Sequence, residues 1–134
     1  MPLTKLRVLD LSHNAIKNFI FPVSEMLVLE ILDLSYNKII TISSYLFLGP
    51  SLREVILRNN SIMSPGQSYM MSPSIMFVDL RNNSFNCSCE WYNLMVSLPQ
   101  NTTVKGICES PHESLQSLIA DVCPAVKFKR PSRS

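Results

Sequence analysis

Glycine is scarce in this chain, with only 3 among 134 residues, and histidine occurs only twice. Phosphate-binding loops need closely spaced glycines so that backbone N–H groups can approach the phosphate, which argues against a nucleotide site. His13 and His112 lie in unrelated settings, and neither an HExxH motif nor a Ser, His and Asp order is present. We therefore expect no enzyme, and we predict no catalytic residue, metal or cofactor.

Long apolar runs and a general basic surface are also missing. No stretch reaches the roughly 18 residues of a membrane span, and no secretory signal is visible. The net charge is +2, but four of the 12 basic residues lie in the last eight positions. The rest of the chain has 8 basic and 10 acidic residues. Nucleic-acid binding is therefore not indicated. The basic tail, residues 125–134, is interpreted as a juxtamembrane stretch, a linker or an expression remnant.

The chain instead contains a 23-residue pattern that occurs four times without insertion. In the first repeat Leu6, Leu9 and Leu11 precede an asparagine and Ile16 follows it, and the later repeats keep apolar residues at these positions. The four asparagines are Asn14, Asn37, Asn60 and Asn83. This is the L-x-x-L-x-L-x-x-N-x-L pattern of a leucine-rich repeat.

Each repeat is a short strand with a return segment, and it buries its apolar face only by stacking on its neighbours. Leu9 and Leu11 point inward and the residues between them outward, because side chains alternate along a strand. We predict an α/β solenoid for residues 1–85, a leucine-rich repeat horseshoe segment with short parallel strands. The asparagine amides are predicted to pair turn backbone groups as a structural ladder.

The return segments are expected to fill the convex side of the core. The candidate residues are Phe19, Phe21, Leu27, Ile42, Leu46, Phe47, Leu48 and Tyr69. The run of residues 61–74 is rich in Ser, Met, Pro and Gly, which predicts an irregular connection rather than a helix.

The first repeat starts almost at the first residue, since only Pro2 separates Met1 from Leu3. A repeat array needs a cap over its first apolar face, and no capping module precedes the first repeat. We therefore expect the C-terminal end of a longer array, cut at a repeat boundary, which self-associates through its first repeat.

All four cysteines follow the last repeat, at Cys87, Cys89, Cys108 and Cys123. This position predicts a cysteine-stapled C-terminal cap, residues 86–124. Four cysteines permit three pairings, and a bridge between the first two would close a strained ring, which leaves two. The alternative is a four-thiolate zinc site, but a C-x-C pair followed by cysteines 15 apart does not match the usual C-x-x-C spacing.

Four N-x-[ST] sequons begin at Asn59, Asn82, Asn86 and Asn101. This number favours a secreted or luminal chain, where disulfides also persist. Asn59 and Asn82 precede ladder asparagines and are expected to face solvent. Asn101 lies in a polar loop and is the best glycan acceptor, whereas Asn86 is a poor one because Cys87 stands in the middle of its sequon.

The segment Asn83-Ser84-Phe85-Asn86-Cys87-Ser88-Cys89-Glu90-Trp91 resembles the entry to the cysteine-rich cap of extracellular leucine-rich repeat proteins, and most of all that of the Toll-like receptors. The stretch from Cys108 to Pro111 resembles the third-cysteine motif of that family. This resemblance implies the pairs Cys87–Cys108 and Cys89–Cys123. Only 18 residues separate the second cysteine from the third. This spacing is shorter than expected for the family and implies a trimmed cap helix.

By this resemblance the parent protein is a single-pass innate immune receptor at the cell surface or in an endosome. Its ectodomain would bind a microbial ligand and pair with a second ectodomain, and this chain would be the membrane-proximal part. The alternatives are a secreted or anchored recognition module, similar to variable lymphocyte receptors or matrix adhesion proteins, and a structural scaffold.

Outward strand positions form columns across the repeats, and seven of these residues make up the candidate binding face. They are Ile31, Asp33, Ile56, Arg58, Phe77, Asp79 and Arg81. Grouped apolar residues often mark contact surfaces, and aspartates beside arginines suit a polar ligand or protein partner. The simpler interpretation of the charges is a solvated face. Tyr36 and His13 are expected on the flank, and Trp91 in the core of the cap.

Overall fold

The computed structural model describes residues 5–42, 46–66, 72–109 and 113–117. Its strands and helix are β1 (Val8–Asp10), β2 (Ile31–Asp33), β3 (Glu54–Ile56), β4 (Phe77–Asp79), α1 (Cys89–Ser97), β5 (Thr103–Lys105), β6 (Ile107–Cys108) and β7 (Glu113–Ser114). Two short 3-10 turns, Val23–Glu25 and Leu115–Ser117, complete the regular structure of the described residues.

Strands β1 to β5 form one parallel sheet in sequence order. From β1 to β4 each residue pairs with the residue 23 positions later, so the repeats stack without a register slip. Pairing continues beyond the three-residue strands, because the Leu11 N–H donates to the Asp33 carbonyl at 2.8 Å and the Leu34 N–H donates to the Ile56 carbonyl at 2.8 Å. The predicted solenoid with short parallel strands is confirmed.

The fifth strand comes from the segment predicted as the cap. Phe77 pairs with Thr103 and Asp79 with Lys105, so β5 follows β4 after 26 residues instead of 23. Helix α1 lies between these two strands, where the earlier repeats have a return segment. The leucine-rich repeat pattern does not extend to β5. Val104 alone matches the inward apolar position of a repeat strand, and it is buried.

The front of the core is built from alternate strand residues. In β2, β3 and β4 the middle residue of the strand and the residue two positions after it are fully buried. These residues are Leu32, Leu34, Val55, Leu57, Val78 and Leu80. Leu9 and Leu11 are only partly buried, because β1 has a neighbouring strand on one side alone among the described residues. Full burial of one such side chain contributes roughly 1.5–3 kcal/mol, so stacking of the repeats supplies much of the stability.

Most of the predicted convex-side residues belong to the core. The buried or partly buried ones are Phe19, Phe21, Ile42, Leu46, Phe47 and Leu48. The prediction for Leu27 was wrong, since its side chain is 61% exposed. The 3-10 turn before it directs Val23 and Met26 inward instead, and both are buried. Tyr69 lies outside the described residues.

The connection over residues 61–74 contains no helix in its described parts. Ser64 forms an isolated parallel bridge with Thr41, and Gly66 has a φ of 69°. A Cβ on this glycine would collide with the carbonyl oxygen of Ile42. The close passage of the chain over the preceding repeat therefore requires glycine at this position.

The C-terminal cap continues the core of the repeats. Helix α1 buries Trp91, Tyr92 and Leu94, and the ring of Trp91 lies 4.3 Å from that of Phe85, the last apolar position of the fourth repeat. Trp91 is fully buried, as predicted for a core residue of the cap. Beyond β5, the strands β6 and β7 form an antiparallel pair, and Leu115 is buried next to it.

Candidate functional site

The ladder asparagines join adjacent repeats through their side-chain amides. The Nδ2 of Asn37 donates to the carbonyls of Leu34 and Ser35 in its own repeat, at 2.9 and 3.1 Å. It also donates to the Leu11 carbonyl of the preceding repeat at 3.0 Å. The Oδ1 accepts the N–H of Ile16, again in the preceding repeat, at 3.0 Å. One side chain thus satisfies backbone groups of two repeats.

The same arrangement recurs along the array. Asn60 and Asn83 each donate to two carbonyls of their own repeat and one of the preceding repeat, and each accepts one N–H from that preceding repeat. Asn14 is exposed and donates to the carbonyls of Leu11 and Ser12 in its own repeat. Because these amides hold the backbone, they are not available as reactive or ligand-binding groups.

The first two aspartates of the outward face stabilise the chain where it leaves each strand. Asp10 Oδ1 accepts the backbone N–H of Ser12 at 3.0 Å and its hydroxyl at 2.6 Å. Asp33 makes the same two bonds with Ser35, at 3.0 and 2.7 Å. The hydrogen bonds from Ser12 lower the pKa of Asp10 below its ordinary value. The repeated D-x-S spacing was the sequence signal for this structural role.

In the fourth repeat an arginine replaces this serine. Arg81 donates from Nε and Nη2 to the two carboxylate oxygens of Asp79, at 2.9 and 2.7 Å. Burial raises the pKa of Asp79, but the hydrogen bonds and charge of Arg81, with the charge of Arg58, bring it below its ordinary value. Asp79 is only 2% exposed. Its prediction as an exposed binding residue was wrong, because Arg81 pairs with it and β5 adds a strand alongside.

The other residues of the candidate face remain accessible. Ile31, Asp33, Ile56, Arg58 and Phe77 are half-buried, and Arg81 is exposed. In the strand register, Ile31 of β2 and Phe77 of β4 lie on either side of Glu54 in β3. The face therefore alternates apolar and charged groups across the strands instead of presenting one apolar patch.

A second column runs along the flank, at the residue before each ladder asparagine. His13, Tyr36, Asn59 and Asn82 all have φ between 56° and 59°, a left-handed conformation that Asn and His tolerate better than most residues. The rings of His13 and Tyr36 stack with centroids 4.4 Å apart. The guanidinium carbon of Arg58 lies 5.9 Å from the Tyr36 ring centroid, and Asn82 Nδ2 donates to Asn59 Oδ1 at 3.3 Å.

The sequon asparagines differ in their surroundings. Asn59 is half-buried, whereas Asn82, Asn86 and Asn101 are exposed. Asn59 and Asn82 form the hydrogen-bonded pair of the flank. Asn101 lies in the turn that precedes β5. Which sequons carry glycans stays a prediction.

The opposite flank, where the chain enters the strands, carries a column of charges. Arg7 Nη2 lies 2.6 Å from the Glu30 carboxylate, and Arg53 lies 3.9 Å from it. Arg53 also donates to the sulfur of Met76 at 3.8 Å. Exposed ion pairs of this kind contribute roughly 0–1 kcal/mol, so this column is a solvated surface with a small stabilising effect.

A cleft of about 340 Å³ lies where the last repeats meet the cap, and Arg58, Arg81 and Ile107 are among its lining residues. A second cleft of about 310 Å³ shares Arg81 and is also lined by Lys105 and Gln116. The cleft residues Lys105, Ile107 and Gln116 were not among the predicted site residues. Their place beside the arginines depends on β5, which the repeat pattern does not predict.

The cysteines staple the cap to the end of the array. Cys87 and Cys108 form a disulfide with their Cα atoms 5.3 Å apart, within the usual range. This bond joins the loop before α1 to β6. Cys89 is also disulfide-bonded, but Cys123 lies outside the described residues, so the second pair stays a prediction.

Within the described ranges, no three or more His, Cys, Asp or Glu side chains are placed to hold a metal ion. No helix in that part of the chain is long and apolar enough to cross a membrane. The predicted basic tail, residues 125–134, lies outside the described residues.

Comparison with known families agrees with the geometry. Two family models match the chain, one described as Leucine Rich repeat at residues 3–18 and one as Leucine Rich Repeat at residues 28–49. No curated protein matches the chain significantly. The parallel sheet, the asparagine ladder and the two matches define the class: this chain is a leucine-rich repeat protein. Domains of this class generally mediate recognition of proteins or other ligands.

Proposed function

We propose that this chain is the membrane-proximal part of a Toll-like innate immune receptor ectodomain, which binds a ligand and pairs with a second ectodomain. The observation that carries this proposal is the way the sheet ends. The disulfide between Cys87 and Cys108 closes a cap whose entry, residues 83–91, resembles that of the receptor family. The cap covers the last repeat, while the outward residues Ile31, Ile56 and Phe77 of the preceding strands stay partly accessible.

Recognition, rather than catalysis, fits the chemistry of the outward face. The ladder amides are used by the backbone, and Asp10 and Asp33 are used by the turns after their strands. The accessible groups are apolar side chains next to single charges. Such a mixture offers apolar contact area together with electrostatic selectivity for a partner.

An extracellular or luminal location is part of the same proposal. Disulfides persist in oxidising compartments and are rare in the cytosol, and the cap contains at least the Cys87–Cys108 bond. Three of the four sequon asparagines are exposed, which is compatible with glycosylation in the secretory pathway.

The most direct test is the coding sequence that follows Ser134 in the transcript. The proposal expects an apolar span of about 20 residues followed by a cytoplasmic signalling domain. A stop codon or a lipid-anchor signal at that place would instead support the second candidate, a secreted or anchored recognition module similar to a variable lymphocyte receptor or a matrix protein.

Pairing and ligand binding are tested with the full receptor. Two differently tagged copies are expressed together and their ligand-dependent co-precipitation is measured. Phe77→Asp places a charge on the outward face and is expected to reduce binding or pairing. Met63→Asp is the matched control, since Met63 is apolar and 65% exposed but lies outside the outward strand positions. Equal effects of the two variants would contradict a role for the outward face.

The isolated chain is also expected to self-associate at its first repeat. The β1 edge of the sheet has no neighbouring strand among the described residues, Val8 is exposed, and Leu9 and Leu11 are only partly buried. Light scattering as a function of concentration measures this association. A stable monomer at high concentration would contradict it.

A further inference from the structure

The cleft at the junction of repeats and cap contains an arginine without the carboxylate that its position would normally have. Arg58 and Arg81 occupy the same place in the third and fourth repeats, two residues beyond the aligned pair Ile56 and Asp79. Arg81 is held by Asp79 through two hydrogen bonds. Arg58 has an isoleucine where Arg81 has its aspartate.

The other two repeats show how regular this relation is. In the first, Asp10 receives hydrogen bonds from Ser12, and in the second, Asp33 receives them from Ser35. Among the four repeats, the third alone lacks an aspartate at this outward position. Arg58 therefore lacks a carboxylate partner within its own repeat, although its charge acts on Asp79 of the next repeat.

The guanidinium of Arg58 shows the consequence. Its Nε is buried and has no hydrogen-bond partner within the described residues. The guanidinium carbon lies 5.9 Å from the Tyr36 ring centroid, so the group is positioned against an aromatic flank. Glu109 lines the same cleft, but among the described residues no ion pair joins it to Arg58 or Arg81. A buried N–H donor without a partner destabilises the fold, because its bonds to water are lost and not replaced.

We propose that this cleft binds a carboxylate side chain from an acidic peptide segment of a protein partner, with Arg58 as the principal donor. The bound carboxylate takes the hydrogen bonds of Arg58, as Asp79 takes those of Arg81. Arg81 borders the same cleft and keeps three N–H groups beyond the two that hold Asp79. Ile107, 52% exposed on the cleft wall, contacts an apolar residue next to the acidic one.

The surroundings favour a carboxylate over a phosphate. The planar guanidinium fork matches a carboxylate in a two-bond contact, and the Asp79–Arg81 pair shows that contact in this fold. Asp79 already neutralises part of the Arg81 charge, and Glu109 adds a negative charge to the cleft lining. A dianion would meet more repulsion there than a monoanion. The inference rests on the recognition role proposed above and is independent of the receptor class.

The test uses the full oxidised chain and a blocked pentapeptide with one glutamate between two leucines. Binding is followed by NMR titration, which gives the dissociation constant and the chemical shift of the Arg58 Nε–H. Saturable binding with a shift of that N–H is expected. The same peptide with glutamine is expected to bind roughly tenfold more weakly, since the charge-assisted bonds are lost. Inorganic phosphate serves as the other anion and is expected to bind more weakly than the glutamate peptide.

Two variants remove the site in different ways. Arg58→Ala deletes the donor. Ile56→Asp restores the missing carboxylate within the repeat, and this carboxylate then takes the hydrogen bonds of Arg58 in place of the peptide. Both are expected to weaken glutamate-peptide binding roughly tenfold. Arg53→Ala is the control, because it removes an arginine from the opposite flank, and it is expected to keep affinity within about twofold. Ile56→Asn removes the same apolar side chain without adding a charge and is expected to weaken binding less than Ile56→Asp does.

Several outcomes would overturn the inference. They are wild-type affinity in Ile56→Asp, an equal loss in Arg53→Ala, or phosphate binding more tightly than the glutamate peptide. Amide spectra and thermal unfolding show which variants are folded, and Ile56→Asp keeps Arg58 if Arg58→Ala is unstable. A failed titration leaves the transcript test of the receptor class unaffected, so the two proposals fail separately.

Discussion

Replacing Asn37 by alanine measures how much the asparagine ladder stabilises the solenoid. The change removes three donations, to the carbonyls of Leu11, Leu34 and Ser35, and the bond accepted from the Ile16 N–H. Asn37 is 8% exposed, so water replaces these bonds poorly. A hydrogen bond contributes about 0.5–1.5 kcal/mol net, and an unpaired buried group costs about 1–3 kcal/mol. We expect the free energy of unfolding to fall by about 3–5 kcal/mol.

Asn14→Ala is the matched control, because the residue and the position in the repeat are the same. Asn14 is exposed, and its two hydrogen bonds stay within its own repeat. Its removal is expected to cost about 1 kcal/mol. The difference between the two variants therefore isolates the bonds that cross from one repeat to the next.

Urea unfolding followed by circular dichroism gives both free energies, and thermal unfolding checks them. For a chain of this size 1 kcal/mol corresponds to about 3–5 °C in Tm, so Asn37→Ala is expected to melt at least about 10 °C lower. A smaller urea m-value would indicate that the first repeat has separated from the rest, because repeats interact with their neighbours alone. Equal losses for Asn14→Ala and Asn37→Ala would refute the argument.

Three further predictions follow from the cap and the outward face. Replacing Cys87 and Cys108 together by serine is expected to lower the free energy of unfolding by about 3 kcal/mol, the loop-closure value for a separation of 21 residues, and denaturant titration under oxidising conditions measures it. The lowered pKa of Asp79 means that its ionised form stabilises the fold above the unfolded pKa of about 3.9, and this contribution is lost as the pH falls through the lower folded pKa. The urea midpoints of the parent chain and of Asp79→Asn are therefore expected to converge between about pH 5 and pH 2. A constant difference between the two midpoints would contradict the pairing with Arg81. In chain secreted from eukaryotic cells, peptide mass mapping is expected to find Asn101 glycosylated, and an unmodified Asn101 would contradict its choice as the best acceptor.

The repeat pattern predicted the core because both periods of the fold are visible in the sequence. Side chains alternate along a strand, and the array repeats every 23 residues. Leu32, Val55 and Val78 occupy the position that Leu9 has in the first repeat, and all are fully buried. The same 23-residue period pairs Asp10 with Asp33 and Ile31 with Glu54, as in the observed register.

Features without a period were not predictable in this way. Strand β5 has no leucine frame, and its place in the sheet comes from pairing with β4. Leu27 was assigned to the core by its apolar character, but a local 3-10 turn gives that place to Val23 and Met26. The burial of Asp79 depends on Arg81 and on the added strand, which are close only in the folded chain.

By itself the sequence determined the solenoid, its inward residues and the position of the cysteine cap, because these follow from local alternation and a regular repeat. Only the tertiary structure decided which outward charges are free. Asp79 and Arg81 neutralise each other, whereas Arg58 has Ile56 in place of an aspartate and keeps a buried donor without a partner among the described residues. The physical reason is that a charge is available for binding only when its neighbours in space leave it unpaired.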